Sequence, residues 1–286
     1  MTEETLVAGK KPSVDADLYA ACHACLMEPD PFKKADKTQA LFQQHASMTR
    51  LNDVPGACAV ERIETPGIPE TPALVDPRSV KRRGFGSDAG RLALLHALAH
   101  IEFNAINLAL DAAYRFRQMP HEFAIDWLLV AADESRHFLL VAERLAQLDS
   151  HYGAFDAHAG LWNMALKTDH DVMVRMALVP RVLEARGLDV APPMIEKFRQ
   201  HDDHLSADIL EIIFNDEIRH VQIGNHWFRY CCEQRGLQPS DVFEQLLRQH
   251  SRGYLRGPYN EVARVQAGFS MEELDALKEI EAEWAD

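Results

Sequence analysis

The chain has 286 residues, 47% of them apolar, and a formal net charge of −14. That length allows one domain of roughly 200 residues with extensions, and the acidic balance argues against general nucleic-acid binding, which needs Lys and Arg in excess to neutralise phosphates. No run of 18 or more apolar residues is free of charge, and the N-terminus carries Glu3 and Glu4 instead of an apolar signal core, so neither a membrane span nor a signal peptide is expected.

Residues 14–26 alternate apolar and polar side chains at helical spacing, and Pro29 and Pro31 are expected to end that helix. A second short helix is expected over 35–46. Residues 54–87 carry Pro or Gly every few positions, with Lys81-Arg82-Arg83 among them. That spacing forbids a helix. It predicts an extended arm packed along the rest of the protein, with Leu74 and Val75 to bury. Ser87 then serves as an N-cap, with Asp88 in the first turn, for a helix over 88–116. Leu92, Leu95, Ala99, Glu102, Ile106, Ala109 and Ala113 recur there at three- and four-residue steps. Glu102 therefore lies on the apolar stripe, where a carboxylate is costly unless it is paired or bound to metal. Pro120 opens a helix over 120–148, on which Trp127, Val130, Glu134, His137, Val141 and Leu145 share a face.

Residues 149–168 break the helical pattern and predict a long crossover, carrying His151, Tyr152, Asp156, His158 and Trp162. A third helix is expected over 169–186, kinked by Pro180 four residues before Glu184 and ended by Gly187. Pro192-Pro193 would start the next segment, with a break near Asp202-Asp203. The fourth long helix is predicted over 205–235, stopped by Gly236, and helices over 239–250 and 270–284 close the chain. The organisation predicted is all-α: an N-terminal helical and extended arm (1–87), a four-helix bundle with a long crossover (88–236) and a short C-terminal helical extension (237–286). The five cysteines are an odd and sparse set: Cys22-x-x-Cys25, Cys58 and Cys231-Cys232. They suggest reduced thiols and a cytoplasmic protein.

One five-residue pattern occurs twice, as Asp133-Glu134-Ser135-Arg136-His137 and Asp216-Glu217-Ile218-Arg219-His220. On a helix, a Glu and a His three residues apart lie on one face, so they can bind one metal ion together. In four-helix bundles, a di-metal carboxylate site takes such a pair from each of two helices and one further Glu from each of the other two. Glu102 and Glu184 fill those places. Glu102 precedes Glu134 by 32 residues and Glu184 precedes Glu217 by 33. The expected ligands are Glu102, Glu134 and His137 for one ion and Glu184, Glu217 and His220 for the other, with Glu134 and Glu217 as bridges. Asp216 is placed to accept from His137 and Asp133 from His220, with Arg136 and Arg219 paired to those aspartates. Four carboxylates and two imidazoles suit two divalent ions, iron first, with manganese, zinc or mixed occupancy as alternatives. The plainer reading is a buried network of Glu, Arg and His without metal.

The doubled motif resembles the di-iron oxygenase and ribonucleotide-reductase small-subunit branch of the ferritin-like superfamily. More closely, the chain is similar to a bacterial ferritin-like family catalogued as domain of unknown function 455. The stretches that carry this include His100-Ile101-Glu102-Phe103-Asn104, Pro180-Arg181-Val182-Leu183-Glu184-Ala185-Arg186-Gly187 and Asn215-Asp216-Glu217-Ile218-Arg219-His220-Val221. The resemblance implies a di-iron oxidoreductase of monooxygenase or hydroxylase type. Its partners would be dioxygen or peroxide, an unidentified small molecule and an electron-donor protein, in a monomer or homodimer. Three alternatives accompany it: a ferritin- or rubrerythrin-like metal-binding or peroxide-scavenging protein, a tRNA-modifying hydroxylase, and a non-catalytic scaffold. tRNA is thus the one nucleic acid kept as a partner.

Overall fold

Asp30 decides where the second helix begins. Its carboxylate accepts from the backbone N–H groups of Phe32 and Lys33 at 3.0 and 3.1 Å. Pro31 occupies the first helical position, where a missing N–H costs nothing. The helix therefore starts at Pro31 and not at Ala35. The proline expected only to end one helix opens the next.

The structure is a computed structural model that describes residues 14–46, 60–81 and 83–285. Cys58, Arg82 and the first part of the predicted arm lie outside those residues. The described chain is all-α, with a single isolated bridge between Leu74 and Ala157. In order, the helices are α1 (Val14–Leu26), α2 (Pro31–His45), α3 (Asp88–Arg115), α4 (His121–Gln147), α5 (Gly160–Lys167) and α6 (Val172–Leu178). A π-helical segment (Val179–Glu184) follows, then α7 (Ala185–Gln200), α8 (His204–Gln234), α9 (Pro239–His250), α10 (Glu261–Gln266) and α11 (Met271–Ala285). Ser87 caps α3 by accepting from Gly90 N–H at 3.1 Å. Gly236, at a φ of +64°, ends α8, as its left-handed conformation requires.

Two long helical hairpins meet at the centre. One is α3 with α4; the other is the α6–π–α7 run with α8, and α4 packs on α8 between them. α1 lies on α3, and α2 lies on α4. From Glu102 to Arg115 every residue of α3 is buried. By length and composition α3 is the described helix that is apolar enough to cross a membrane, but most of that stretch is enclosed by the protein itself. Cys22, Cys25, Cys231 and Cys232 are free and buried in the core.

The described part of the arm buries residues other than the expected Leu74 and Val75. Leu74 is exposed and Val75 half-buried, whereas Ile63, Pro66, Gly67 and Pro72 are buried. Backbone groups do the tethering: Val75 N–H donates to Ala157 O, and Ala157 N–H to Ala73 O, both at 2.9 Å. The Lys34 ammonium, fully buried, donates to Leu26 O at 2.9 Å and Gly67 O at 2.7 Å and also pairs with Asn107.

The third long helix differs most from expectation. It does not end at Gly187, and Pro192-Pro193 do not begin a new segment; α7 runs through all three to Gln200. Pro192 removes the donor that Leu188 O would use, and the Asn260 side-chain amide supplies one instead at 3.1 Å. Pro180 produces a π-helical turn instead of a simple kink, with Ala185 N–H donating to Pro180 O five residues back. The crossover contains α5, and α10 is a further short helix; neither was predicted.

Candidate metal centre

The two Asp-Glu-x-Arg-His motifs sit on α4 and α8, and their Glu and His side chains point inward from the α4–α8 contact. Each imidazole turns Nδ1 inward. His137 Nδ1 lies 3.2 Å from Glu134 Oε2 and 3.5 Å from Glu102 Oε2. His220 Nδ1 lies 3.1 Å from Glu134 Oε1 and 3.7 Å from Glu217 Oε2. The ring centroids are 5.8 Å apart. Donor atoms of Glu102, Glu134 and His137 cluster within 4.8 Å, as do those of Glu134, Glu217 and His220. Glu134 belongs to both groups and offers one oxygen to each. Glu217, expected to bridge as well, belongs only to the second.

Glu184 is the last residue of the π-helical segment and stands outside both clusters. It nonetheless shares a cavity wall with Glu102 and Glu217. Its Oε2 is enclosed and has no hydrogen-bond partner. Glu134 Oε1, Glu217 Oε2 and His220 Nδ1 are likewise buried without one, since the 3.1 Å approach of His220 to Glu134 lacks hydrogen-bond geometry. Buried polar atoms are nearly always satisfied. Those of Glu134, Glu217 and His220 belong to one cluster that could hold a metal ion.

The electrostatics agree. Burial, then repulsion from Glu134, holds the Glu102 carboxyl well above its ordinary range. Burial, then Glu217 and Glu134, does the same to Glu184, and burial with Glu134 raises Glu217. Burial also opposes ionisation of Glu134, but His220 and His137 outweigh it and hold that carboxyl low. Burial works against charge on both imidazoles. Asp216 with Glu102 and Glu134 outweighs it at His137, and Glu134 with Asp133 at His220, so both stay protonated to unusually high pH.

Outside this space, the aspartates cross over. His137 Nε2 donates to Asp216 Oδ2 at 3.0 Å, and His220 Nε2 to Asp133 Oδ2 at 3.2 Å. Arg136 pairs with Asp216, and Arg219 NH2 donates to Asp133 Oδ2 at 2.5 Å and Asp216 Oδ1 at 3.2 Å. His96, His100 and Asn104 on α3 are not part of the centre. The two histidines bind the crossover: His100 Nδ1 meets Tyr152 OH at 2.9 Å, and His96 Nε2 accepts from Gly153 N–H at 2.9 Å, while Asn104 donates to His100 O at 2.8 Å. The cavity beside the centre has no local signature in the sequence, because its walls come from four separate stretches of chain.

Fold and site together define a class: an all-helical protein with a buried carboxylate–imidazole cluster that could hold a metal ion. Within that class, the chain belongs to the family described as "Protein of unknown function (DUF455)", whose model matches residues 27–275 and so spans both motifs, Glu102 and Glu184. It is similar to an "Uncharacterized protein" of Haemophilus influenzae, 48% identical over 241 residues, which cover 82% of this chain and 83% of that relative. No solved structure matches it.

Proposed function

We propose that this protein is a ferritin-like four-helix bundle with a di-iron carboxylate centre, and that it is an oxygen-activating oxidoreductase of the monooxygenase or hydroxylase type. The observation that carries the reading is the set of orphaned buried atoms on Glu134, Glu184, Glu217 and His220. Glu102, Glu134 and His137 would hold one ion, and Glu134, Glu217 and His220 the second, with Glu184 facing the second group. The carboxylate-rich set favours iron or manganese over zinc, which prefers more His and Cys. A reduced pair of iron ions supplies electrons to dioxygen or peroxide when bound; the substrate and the electron donor are of unassigned identity.

The chain's own contribution is positional. Asp216 and Asp133 fix the ring orientation of His137 and His220 and keep Nδ1 free to face inward. Burial of Glu102 and Glu134 excludes bulk water from one side of the centre. On the other side Glu102, Glu184 and Glu217 line a cavity that opens toward solvent beside Ile101. Their carboxyls, protonated more readily than usual, give up protons as positive charge arrives.

Anaerobic Fe(II) titration tests the reading. The expected result is about two ions per chain, followed by oxygen uptake and a near-ultraviolet band when dioxygen is admitted. Glu102→Ala and His137→Ala should lose that stoichiometry while keeping helical circular dichroism. A wild-type chain that binds neither iron nor manganese would overturn the proposal. Sizing separates it from storage: a many-subunit cage points to iron storage, a monomer or homodimer to the enzyme.

A further inference from the structure

The cavity that meets Glu102, Glu184 and Glu217 has a chemistry of its own. Its volume is about 150 Å³. Beyond the three carboxylates its wall is apolar, with Leu98, Leu108, Leu183, Met194 and Phe214 among the lining side chains. A space of about that volume accepts a benzene-sized guest. It falls below the roughly 300–1,000 Å³ usual for whole-ligand pockets, so it suits one ring or a short branched alkyl group and no more.

Arg186 is the single Lys or Arg on the lining, and its side chain is partly exposed, as is Ile101. These two residues mark the mouth. Arg186 has no hydrogen-bonded carboxylate of its own. The nearest, Asp189, stands 3.7 Å away. That carboxylate is already taken by Arg264, at 2.9 and 2.8 Å, and by Asn260 N–H at 2.9 Å. Arg186 NH1 donates only to the Arg256 carbonyl. Paired with Asp189 only at 3.7 Å, the Arg186 guanidinium keeps donors for a planar, two-oxygen anion at the mouth of the slot.

We propose that the cavity binds a small organic carboxylate, with a ring-sized apolar group inserted toward Glu102, Glu184 and Glu217 and its carboxylate on Arg186 at the mouth. This rests on the metal-centre reading for its catalytic meaning, since it names the substrate class that would reach that centre. Arg186 sets the orientation: as the one guanidinium on the lining it holds the anionic head and leaves a carbon end facing the three glutamates.

The test uses phenylacetate, toluene and acetate as probes on the full-length protein, metal-free and loaded with redox-inert Zn(II). Binding is read by ligand-observed NMR and calorimetry, with metal content measured on the same samples. Phenylacetate should bind, and about tenfold or more tighter than toluene or acetate, the size expected for a charge-assisted pair. Arg186→Gln, a change at a partly exposed side chain, should erase the advantage over toluene. Ala191→Phe should block phenylacetate and toluene alike while leaving zinc stoichiometry unchanged. Acetate binding as tightly as phenylacetate, or phenylacetate binding unaffected by Arg186→Gln, would overturn the assignment. A protein that takes metal but no phenylacetate loses this inference alone; one that takes phenylacetate but no metal loses the di-iron reading alone.

Discussion

His137 reaches past the aspartate of its own motif and donates Nε2–H to Asp216 of the other motif, at 3.0 Å. His220 mirrors it on Asp133 at 3.2 Å. The two halves of the centre therefore orient each other across the α4–α8 contact, and neither motif is complete alone. Asp216→Asn keeps the size of the side chain but removes the charge that holds His137. Metal affinity should fall by about 10–100-fold, measured by chelator competition, with helix content unchanged. Undiminished affinity would mean that His137 is oriented by packing alone.

Glu102 and Glu184 should show opposed effects on stability and on binding. In the metal-free protein each is a buried carboxyl whose ionisation is disfavoured by burial and by neighbouring carboxylates. Replacing either with Gln removes that penalty at neutral pH. The metal-free Glu102→Gln and Glu184→Gln variants should melt higher than wild type, by about 2–6 °C for roughly 1–2 kcal/mol in a chain of this length. The same variants should bind metal more weakly. A variant that melts lower while metal-free would point to a structural role for the ionised carboxylate.

Much of this centre was legible because helical periodicity carries information at short range. The three-residue Glu–His spacing and the position of Glu102 on an apolar stripe are local facts, and so are the Ser87 cap and the Gly236 stop. What escaped was non-local. α7 passes through Gly187 and Pro192-Pro193 because Asn260, far along the chain, satisfies Leu188 O. The π-helical turn that carries Glu184 has no local spacing of its own. Arg181 in that turn is enclosed by Phe228, Phe243 and Phe269 and bonded to Glu273 of α11, contacts that no window of sequence contains. The arm's buried residues differ from expectation for a related reason: its tethers are backbone groups meeting Ala157 of the crossover and Lys34, not its largest apolar side chains.

The pH dependence of the metal-free protein follows from the raised carboxyls. Glu102, Glu184 and Glu217 have folded-state values above their ordinary 4.5. Above pH 4.5 the unfolded chain ionises these groups while the folded chain retains their protons, so stability falls as pH rises until the folded values are reached. His96, pushed down to about 4 by burial, and Lys34, pushed down to about 7, act in the opposite direction over their own ranges. The informative quantity is therefore the difference between wild type and the Glu102→Gln/Glu184→Gln double variant. From pH 5 to 7 wild type should lose stability relative to the variant, measured by urea unfolding at each pH. Metal binding should run the other way. Loading displaces protons from Glu102, Glu184, Glu217, His137 and His220, so affinity rises with pH and proton release accompanies each addition of metal. A flat difference curve would mean that these carboxyls titrate normally.

Gly224 controls where Glu184 can sit. It lies on α8 one turn beyond His220, and a Cβ there would fall 2.3 Å from Pro180 Cβ and 2.4 Å from its Cγ. Neither partner is a flexible chain end that can swing aside, so Gly224→Ala must push the π-helical turn, and Glu184 with it, away from α8. The expected cost is about 1–3 kcal/mol, with weaker binding of the second metal ion than of the first. Gly187 supplies the contrast. A Cβ there meets nothing nearer than Glu217 Cγ at 3.8 Å, an ordinary contact. Gly187→Ala should therefore gain about 0.5–1 kcal/mol from the lower chain entropy of Ala in a helix. Urea midpoints of the two metal-free variants should move in opposite directions from wild type. If Gly224→Ala is as stable as Gly187→Ala, the packing of Pro180 on α8 does not hold the turn.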